Sequence, residues 1–323
     1  MILAGDLGGT KTLLGLFEGG EPRPRQIVSR AYPTREFDSF TAILDAFVRD
    51  IGRAITVDAA AVGVAGPIVD QHANLTNIEW DVSVAEVAGR LETSRVGLLN
   101  DLEAMAYSVA VLTGAEIVTL QRGERKKNGN AAVIAAGTGL GQAYLHFING
   151  RLLPVASEGG HADFAPRTDR EFELARMLRN LYGRAEVEQV LSGPGLVNIH
   201  RFTHDGNGCD AVQGLPPSEQ PAAISEAALT NRCSLCGEAL AIFVEAYGAE
   251  AGNLGLRGVA TAGVFVGGGI APKILAALQD GRFMNAFRAK APMAELVSAM
   301  PVHVIVNSDA GLLGAAVAAQ GLI

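Results

Sequence analysis

The sequence has few cysteines and no long apolar segment. Only three of its 323 residues are cysteines, an odd number for a chain of this length, so a disulfide framework is not expected. No uninterrupted apolar run approaches the roughly 20 residues needed to cross a bilayer. The first residues, MILAGDLGGT, carry no basic leader. These absences predict a cytoplasmic protein without a membrane partner.

Charge is also sparse. Charged residues make up 19% of the chain and the net charge is −8, which disfavours a nucleic-acid binder that works by neutralising phosphates. A small molecule is therefore the expected partner. Apolar residues make up 49%, and the chain is about twice the usual domain length, so two packed cores are expected.

Two of the cysteines, Cys233 and Cys236, form a Cys-x-x-Cys pair. A zinc site would need two further ligands nearby, and none is evident in the neighbouring sequence. A redox pair would need a strand-to-helix setting, which the surrounding residues do not provide. Neither kind of site is predicted.

Many of the 39 glycines follow apolar runs. The first such turn, Gly8-Gly9, lies between a predicted strand at Ile2–Asp6 and a returning strand at Thr12–Glu18. Backbone N–H groups there could converge on a phosphate, with a hydroxyl from Thr10 and a metal-bound water held by Asp6. A plain hairpin turn is the alternative. Because the turn leads into a strand and not a helix, a Rossmann enzyme or P-loop ATPase is disfavoured.

Two more glycine turns follow later in the chain. Gly137–Gly141 joins predicted strands at Ala131–Ala136 and Gln142–Ile148, which repeats the opening layout and suggests two related halves. Gly267-Gly268-Gly269 follows another predicted strand and is expected to open a helix near Ala271 whose N-terminus faces a nucleotide. A simple strand-to-helix connection is the alternative reading of this last turn.

Polar side chains that suit a sugar occur at three places. Asn100 and Asp101 follow a short predicted strand, although Asp101 could instead cap a helix beginning at Leu102. Glu158 and His161 lie in a glycine-containing turn, where they could also form a surface pair. Glu188 precedes Ser192-Gly193-Pro194-Gly195, and its alternative is a solvated helix face.

Nine motifs spread over nearly the whole chain carry a family resemblance. The sequence resembles the sugar kinase, Hsp70 and actin superfamily, and more narrowly the zinc-free bacterial glucokinase family. Lys11 departs from the pattern, because many members carry Asn there, and the cysteine-rich zinc motif of the related repressor and kinase family is absent after His161. The motifs are GDLGGTKT, GVAGPI, TNIEW, LLNDLEAMAY, AAGTGLGQA, SEGGHADFAP, VLSGPGLVN, VFVGGGIAPK and SDAGLLGAA.

The resemblance implies an α/β fold of the two-lobed actin-like, or ribonuclease H-like, ATPase type. Its mixed sheets would be flanked by helices, with a cleft between the lobes. Residues 1–112 with 303–323 would form a small α/β lobe that holds the first phosphate hairpin and the catalytic Asp. Residues 113–302 would form a large lobe with the second hairpin and the sugar and adenosine contacts.

The resemblance also implies the ligands and the residues that bind them. ATP and Mg²⁺ are the expected cofactors, with Asp6 reaching the metal through water. Glucose would be hydrogen-bonded by Asn100, Asp101, Glu158, His161 and Glu188. The residues expected to bind ATP are Gly5, Asp6, Leu7, Gly8, Gly9, Thr10, Lys11, Gly137, Thr138, Gly139, Gly268 and Gly269.

The implied activity is ATP-dependent phosphorylation of the glucose 6-hydroxyl, feeding glycolysis, with Asp101 as the base. Closure over the bound sugar, bringing Gly8–Lys11 toward the sugar lobe, and a homodimer are further expectations. A kinase for another hexose or an N-acetyl amino sugar is the alternative enzyme. The other classes are a sugar-sensing regulator on the same fold and an actin-like or Hsp70-like ATPase, which would leave the sugar-binding set unexplained.

Overall fold

A computed structural model of the chain describes residues 1–52, 55–75, 78 and 80–323, which form two compact units. Unit 1 comprises Met1–Thr113 and Asn307–Ile323, and unit 2 comprises Gly114–Val306. Part of the TNIEW motif, namely Thr76, Asn77 and Glu79, lies outside the described residues.

The elements are numbered here in chain order. The strands are β1 (Ile2–Leu7), β2 (Lys11–Glu18), β3 (Arg25–Pro33), β4 (Ala59–Val64), β5 (Ile68–Val69), β6 (His72–Asn74), β7 (Asp81–Ser83), β8 (Val96–Asn100), β9 (Ile117–Gln121), β10 (Ala131–Ala136), β11 (Leu140–Ile148), β12 (Arg151–Ser157), β13 (Gly263–Gly267) and β14 (Val302–Ile305). The α-helices are α1 (Phe40–Ile51), α2 (Val84–Leu91), α3 (Asp101–Ser108), α4 (Asp169–Tyr182), α5 (Gly193–Thr203), α6 (Gln220–Leu229), α7 (Ser234–Gly258), α8 (Leu275–Leu278), α9 (Arg282–Arg288), α10 (Ala294–Ala299) and α11 (Ala310–Gln320). Short 3-10 helices lie at Thr34–Glu36, Gly114–Glu116 and Gly159–His161.

The main sheet of unit 1 has the strand order β3-β2-β1-β4-β8, and both of its faces are covered. Along β1, Leu3 belongs to a core that includes the apolar stripe of α1, whereas Ile2 and Ala4 belong to a core that includes α11. This alternation follows from the two-residue period of a strand. It explains why β1 reads as an almost unbroken apolar run.

Unit 2 repeats the topology of unit 1. Its sheet has the order β12-β11-β10-β13-β14-β9. In both sheets the first strand forms an antiparallel hairpin with the second, the third continues the hairpin, and two further strands run parallel to the first. The internal repeat predicted from the two glycine turns is confirmed by these pairings.

The point where the chain leaves unit 2 and returns to unit 1 differs from the expected one, which was after residue 302. The boundary lies after Val306 because β14 pairs with β13 and β9 in the sheet of unit 2. Residues 303–306 therefore belong with unit 2.

Capping residues fix both ends of α1, whereas a helix expected near Ala271 does not form there. α1 is capped by Ser39, whose hydroxyl accepts the Ala42 N–H, and ends at Ile51 because Gly52 takes a left-handed conformation with φ 68°. The prediction of a helix beginning near Ala271 is wrong, because residues 268–274 form turns and only the short α8 follows. Gly268 has φ 83° and packs against the backbone of Ala136, and Pro272 disfavours helical backbone at Ala271.

The core of unit 2 is built around α7. Phe243 and Tyr247 are fully buried on it and contact one another edge to face. Across the described ranges no single helix is long and apolar enough to cross a membrane. α6 and α7 together reach the length and apolar character of a membrane span, but the chain bends by 104° between them.

Candidate active site

The first glycine turn is a hairpin that hydrogen bonds from Thr34 hold in place. The Gly8 N–H donates to the Lys11 carbonyl at 3.1 Å, which closes the turn between β1 and β2. Thr34 holds it from the next connection: its N–H donates to the Thr10 carbonyl at 3.0 Å and its hydroxyl donates to the Gly8 carbonyl at 2.8 Å. Thr10 and Lys11 are exposed. The turn is therefore a supported loop that presents its tip to solvent.

Two carboxylates of unit 1, Asp101 and Asp309, act on the carboxyl group of Asp6 at the end of β1. Burial of Asp6, together with repulsion from Asp101 and Asp309, raises the pKa of the Asp6 carboxyl to about 6, against a smaller opposing effect of Lys11. Gly311 allows the close approach of α11, because a Cβ there would lie 2.9 Å from the Asp6 Oδ2. Carboxylate oxygens are ligands that Mg²⁺ prefers, so this group is chemically suited to a magnesium ion or its water shell.

Asn100 and Asp101 stand where β8 ends and α3 begins. The helix starts at Asp101, so Asn100 is its N-cap, with its Oδ1 accepting the Leu102 N–H at 3.0 Å. The Asp101 Oδ1 accepts the same N–H at 2.8 Å, and the residue is exposed. The cap of α3 is thus Asn100, and the Asp101 side chain lies at the solvent-facing first turn of the helix.

The second glycine turn is joined to two other elements of unit 2. The Gly137 N–H donates to the Gly139 carbonyl at 2.8 Å, and the Gly193 N–H at the start of α5 donates to the Gly137 carbonyl at 2.8 Å. The buried Tyr247 hydroxyl accepts the Ala136 N–H at 3.1 Å, which fixes the end of β10. Gly268 also packs against the backbone of Ala136, so the second and third glycine turns are neighbours.

A cavity of about 610 Å³ opens beside these turns, within the size range of small-molecule sites. Gly137, Thr138 and Gly269 lie on its wall, so predicted nucleotide contacts from both turns face one cavity. The rest of the wall is mostly apolar and includes Pro194, Pro217 and Ile270. Lys273 is one of its few polar residues. Such a lining suits a flat aromatic base with a polar tail.

Glu188 is brought against the second hairpin. Its Oε2 accepts the Leu140 N–H at 2.8 Å, and a Cβ at Gly139 would lie 2.6 Å from the same oxygen. Ser192 caps α5 by accepting the Gly195 N–H at 2.9 Å, while its hydroxyl donates to the Glu188 carbonyl at 2.7 Å. The Ser-Gly-Pro-Gly segment therefore holds Glu188 in place. Glu188 lies in a turn, so the alternative that it belongs to a solvated helix face is wrong.

Glu158 and His161 lie at the short 3-10 helix that follows β12, and both are exposed. The nearest ion-pair partner of His161 is Glu186, with Nδ1 3.5 Å from the Glu186 Oε2. His161, Glu186 and Glu188 form one cluster of side-chain ligand atoms. The proposed surface pair of Glu158 with His161 is thus replaced by a pair with Glu186.

The predicted site residues fall into two groups by unit. Gly5–Lys11, Asn100 and Asp101 belong to unit 1, and Gly137–Gly139, Glu158, His161, Glu188, Gly268 and Gly269 belong to unit 2. Sequence reasoning missed three residues that act beside them, Thr34, Glu186 and Asp309. Only Asp309 carried a usable signal, since it lies in the SDAGLLGAA motif immediately before α11.

The chain matches known proteins over its whole length. A family model described as Glucokinase matches residues 3–322. A glucokinase from Nostoc sp. is 36% identical over 340 residues, covering 100% of this chain and 99% of the relative.

Solved structures agree with the sequence match. A glucokinase from an Antarctic psychrotroph superposes with a TM-score of 0.88 at 29% identity, covering 99% of this chain and 98% of that one. A ROK family glucokinase from Streptomyces griseus in complex with glucose and AMPPNP shares the fold, with a TM-score of 0.65 at 22% identity and 99% coverage of both chains. The fold is thus the actin-like ATPase fold of the sugar kinases, and the chain belongs to the glucokinase family.

Proposed function

We propose that this protein transfers the γ-phosphoryl group of ATP to the 6-hydroxyl of glucose, forming glucose 6-phosphate. Membership of the glucokinase family supports a sugar kinase, and the neighbour from Streptomyces griseus is described with glucose and an ATP analogue. The proposed mechanism rests on the position of Asp101 in unit 1. An exposed carboxylate, Asp101, stands at the start of a helix and is close enough to Asp6 of the glycine hairpin to raise its pKa.

The nucleotide would occupy the cavity beside the second hairpin. Apolar side chains such as Pro194, Pro217 and Ile270 would cover the base, and Gly269 would let the ribose approach the backbone. Gly137 to Gly139 would direct N–H groups and the Thr138 hydroxyl toward the phosphates. The first hairpin, Gly5 to Lys11, would contact the terminal phosphate, and Gly268 would bind the nucleotide together with Gly269.

The sugar would be held by short polar side chains with fixed directions. We infer that Asn100, Asp101, Glu158, His161 and Glu188 hydrogen-bond its hydroxyls. A carboxylate has two oxygens, so Glu188 can accept the Leu140 N–H with one and a sugar hydroxyl with the other. Glu186 would orient His161 through the contact to its Nδ1.

In the transfer step, Asp101 would accept the proton of the 6-hydroxyl as that oxygen attacks the γ-phosphorus in line. Phosphoryl transfer passes through a loose transition state, so alignment and charge neutralisation supply most of the acceleration. Mg²⁺ carried with ATP would supply part of that neutralisation. Asp6 is the residue proposed to hold it through water, and Asp309 is a second carboxylate available beside it.

The decisive experiment is ATP-dependent formation of glucose 6-phosphate by the purified protein, measured in a coupled assay. The same assay across fructose, mannose, glucosamine and N-acetylated amino sugars tests the alternative enzyme. A tenfold or larger preference for an N-acetyl sugar would replace glucose as the substrate. Glucose binding without any phosphorylation would instead favour the sugar-sensing regulator.

The remaining parts of the proposal are a cytoplasmic, glycolytic role and a homodimer. Light scattering on the purified protein measures the mass directly, and a monomeric mass would contradict the dimer. Omitting Mg²⁺ from the assay tests the metal requirement, with loss of turnover as the expected result.

A further inference from the structure

We propose that unit 2 contains a structural zinc site formed by His200, His204, Cys209 and Cys236. His200 lies in the last turn of α5, His204 follows that helix, Cys209 lies in the next loop, and Cys236 lies in the first turn of α7. One ligand atom from each of the four residues lies within 4.8 Å of the others. His200, His204 and Cys236 are buried, and Cys209 is partly buried.

Two distances between these side chains match those between ligands of one tetrahedral ion. Zinc–sulfur bonds of about 2.3 Å and zinc–nitrogen bonds of about 2.0 Å imply a sulfur–sulfur edge of about 3.8 Å and a sulfur–nitrogen edge of about 3.5 Å. The Cys209 and Cys236 sulfurs are 3.7 Å apart, and the His200 Nε2 is 3.4 Å from the Cys209 sulfur. Small adjustments would suffice to place an ion among them.

The proton of the His204 ring is placed so that its other nitrogen can bind a metal. The His204 Nδ1 is 2.9 Å from the His200 carbonyl, an acceptor, so this nitrogen carries the proton and donates. Its Nε2 then keeps a lone pair, and it faces the Cys233 sulfur beside the rest of the cluster. The two rings stack with centroids 3.9 Å apart, so they are adjacent and would tilt apart for both to bind one ion.

Cys233 is assigned a supporting role. Its sulfur caps α7 by accepting the Cys236 N–H at 3.5 Å and lies 3.4 Å from the His204 Nε2. The Cys-x-x-Cys pair alone predicted no site because no other ligands were evident near it in sequence. The structure contradicts only the premise, since the packing of α5 against α7 brings His200 and His204 to the pair and the following loop brings Cys209.

Two histidines and two thiols that leave no open position are typical of structural zinc. The ion would join the end of α5, the loop after it and the start of α7. The opposite end of α5 and residue Pro217, later in the same loop, both line the 610 Å³ cavity. The site would therefore stabilise one wall of that cavity, and its existence does not depend on which substrate the cavity binds.

The test begins with the full-length protein, purified with a reductant and without chelators. Mass spectrometry of the metal content is expected to find about one zinc per chain. Replacement of zinc by Co²⁺ is expected to give the intense visible bands of a tetrahedral ion and a thiolate charge-transfer band in the near ultraviolet.

Variants separate ligands from neighbours. Cys209→Ser and His204→Ala are expected to lower zinc affinity, measured by chelator competition, at least about tenfold. Cys209 is partly exposed, so its serine variant is expected to fold, which circular dichroism checks. Cys233→Ser is expected to keep the metal, and His146→Ala is the control outside the cluster, because the His146 ring stacks on Tyr144 in the sheet.

Three results would overturn the proposal. The first is a wild-type protein that binds neither Zn²⁺ nor Co²⁺ more tightly than Cys209→Ser does. The second is a Cys209–Cys236 disulfide in protein purified with reductant, since the two sulfurs cannot form that bond and bind the ion together. The third is loss of metal from Cys233→Ser with retention by Cys209→Ser, which would assign the ligands differently.

Discussion

At the scale of the residue, Asp101 is the side chain whose replacement tests the chemistry most directly. Asp101→Asn keeps the shape but removes the base, so kcat is expected to fall at least about 100-fold. The KM for ATP should change much less, because the nucleotide contacts are proposed to lie elsewhere. Steady-state kinetics with glucose measure both.

Glu103→Gln is the matched control for Asp101→Asn. Glu103 also lies in the first turn of α3, so its neutralisation changes the charge at the same helix end without touching the proposed base. Near-normal turnover of Asp101→Asn, or an equal loss in both variants, would contradict the assignment.

Asp6 should make the stability of the protein depend on pH. Its pKa is raised from the ordinary 3.8 to about 6, so ionising it costs the folded state more than the unfolded state. In buffer free of divalent ions, Asp6→Asn is therefore expected to be more stable than the wild type above about pH 6, by up to about 3 kcal/mol. The gain should shrink as the pH falls and vanish below about pH 4, where the carboxyl is protonated in both states.

Urea unfolding at several pH values measures this difference. A gain that is independent of pH would show that the variant acts through packing and not through the charge. Added Mg²⁺ should reduce the gain if the cation is held near Asp6, because bound cations favour the ionised carboxylate.

Sequence reasoning located the carboxylates that follow strands but not the groups that act on them. Asp101 was predictable because a polar residue after an apolar strand marks the sheet edge where ligands bind. Thr34 was not, because it contacts the first hairpin from a connection that follows the next strand, and nothing local marks the contact. Glu186 and the zinc ligands likewise depend on packing between distant segments.

At the scale of the element, α11 lies unusually close to α3. Gly314 of α11 allows this contact, because a Cβ there would overlap the Ala104 carbonyl and lie 2.9 Å from the Ser108 backbone nitrogen. Gly314→Ala must push backbone away and is expected to lower the free energy of unfolding by at least about 1–3 kcal/mol. Chemical denaturation measures the change.

Gly89→Ala in α2 is the control, because nothing lies within 4 Å of the added methyl group. Alanine favours a helix over glycine, so this variant should gain about 0.5–1 kcal/mol. Equal effects of the two substitutions would mean that the α11–α3 contact has little energetic weight.

The elements with strong periodicity were predictable and the irregular ones were not. The stripe of α1 and the alternation of β1 follow directly from burial of one or both faces. The segment after Gly267 was misread because an apolar strand followed by glycines usually precedes a helix. Here the positive φ of Gly268 and the restriction imposed by Pro272 gave turns instead.

At the scale of the whole molecule, unit 1 is built from both ends of the chain. α11 supplies Leu312, Ala315, Ala316 and Ala319 to one of its cores, all fully buried. Removing residues 307–323 is therefore expected to expose that face of the sheet, and the β1 and β4 amides should lose protection from hydrogen exchange. Exchange measured by mass spectrometry reports those strands separately.

A chain that ends at Gln320 is the control for this truncation. It lacks only Gly321, Leu322 and Ile323, which are exposed, and it keeps the two hydrogen bonds between the Gln320 amide and Gly20. It should exchange like the full chain. Unchanged protection of β1 after removal of 307–323 would show that α11 is dispensable for this sheet.

The return of the chain to unit 1 bears on synthesis in the cell. A nascent polypeptide emerges amino end first, so the face of β1 that packs on α11 stays uncovered until about 300 further residues have been synthesised. Asp309, whose charge acts on Asp6, is translated just before that helix. A product that stops before residue 309 would lack both α11 and Asp309. One apolar face of its sheet would be exposed, which favours aggregation and proteolysis.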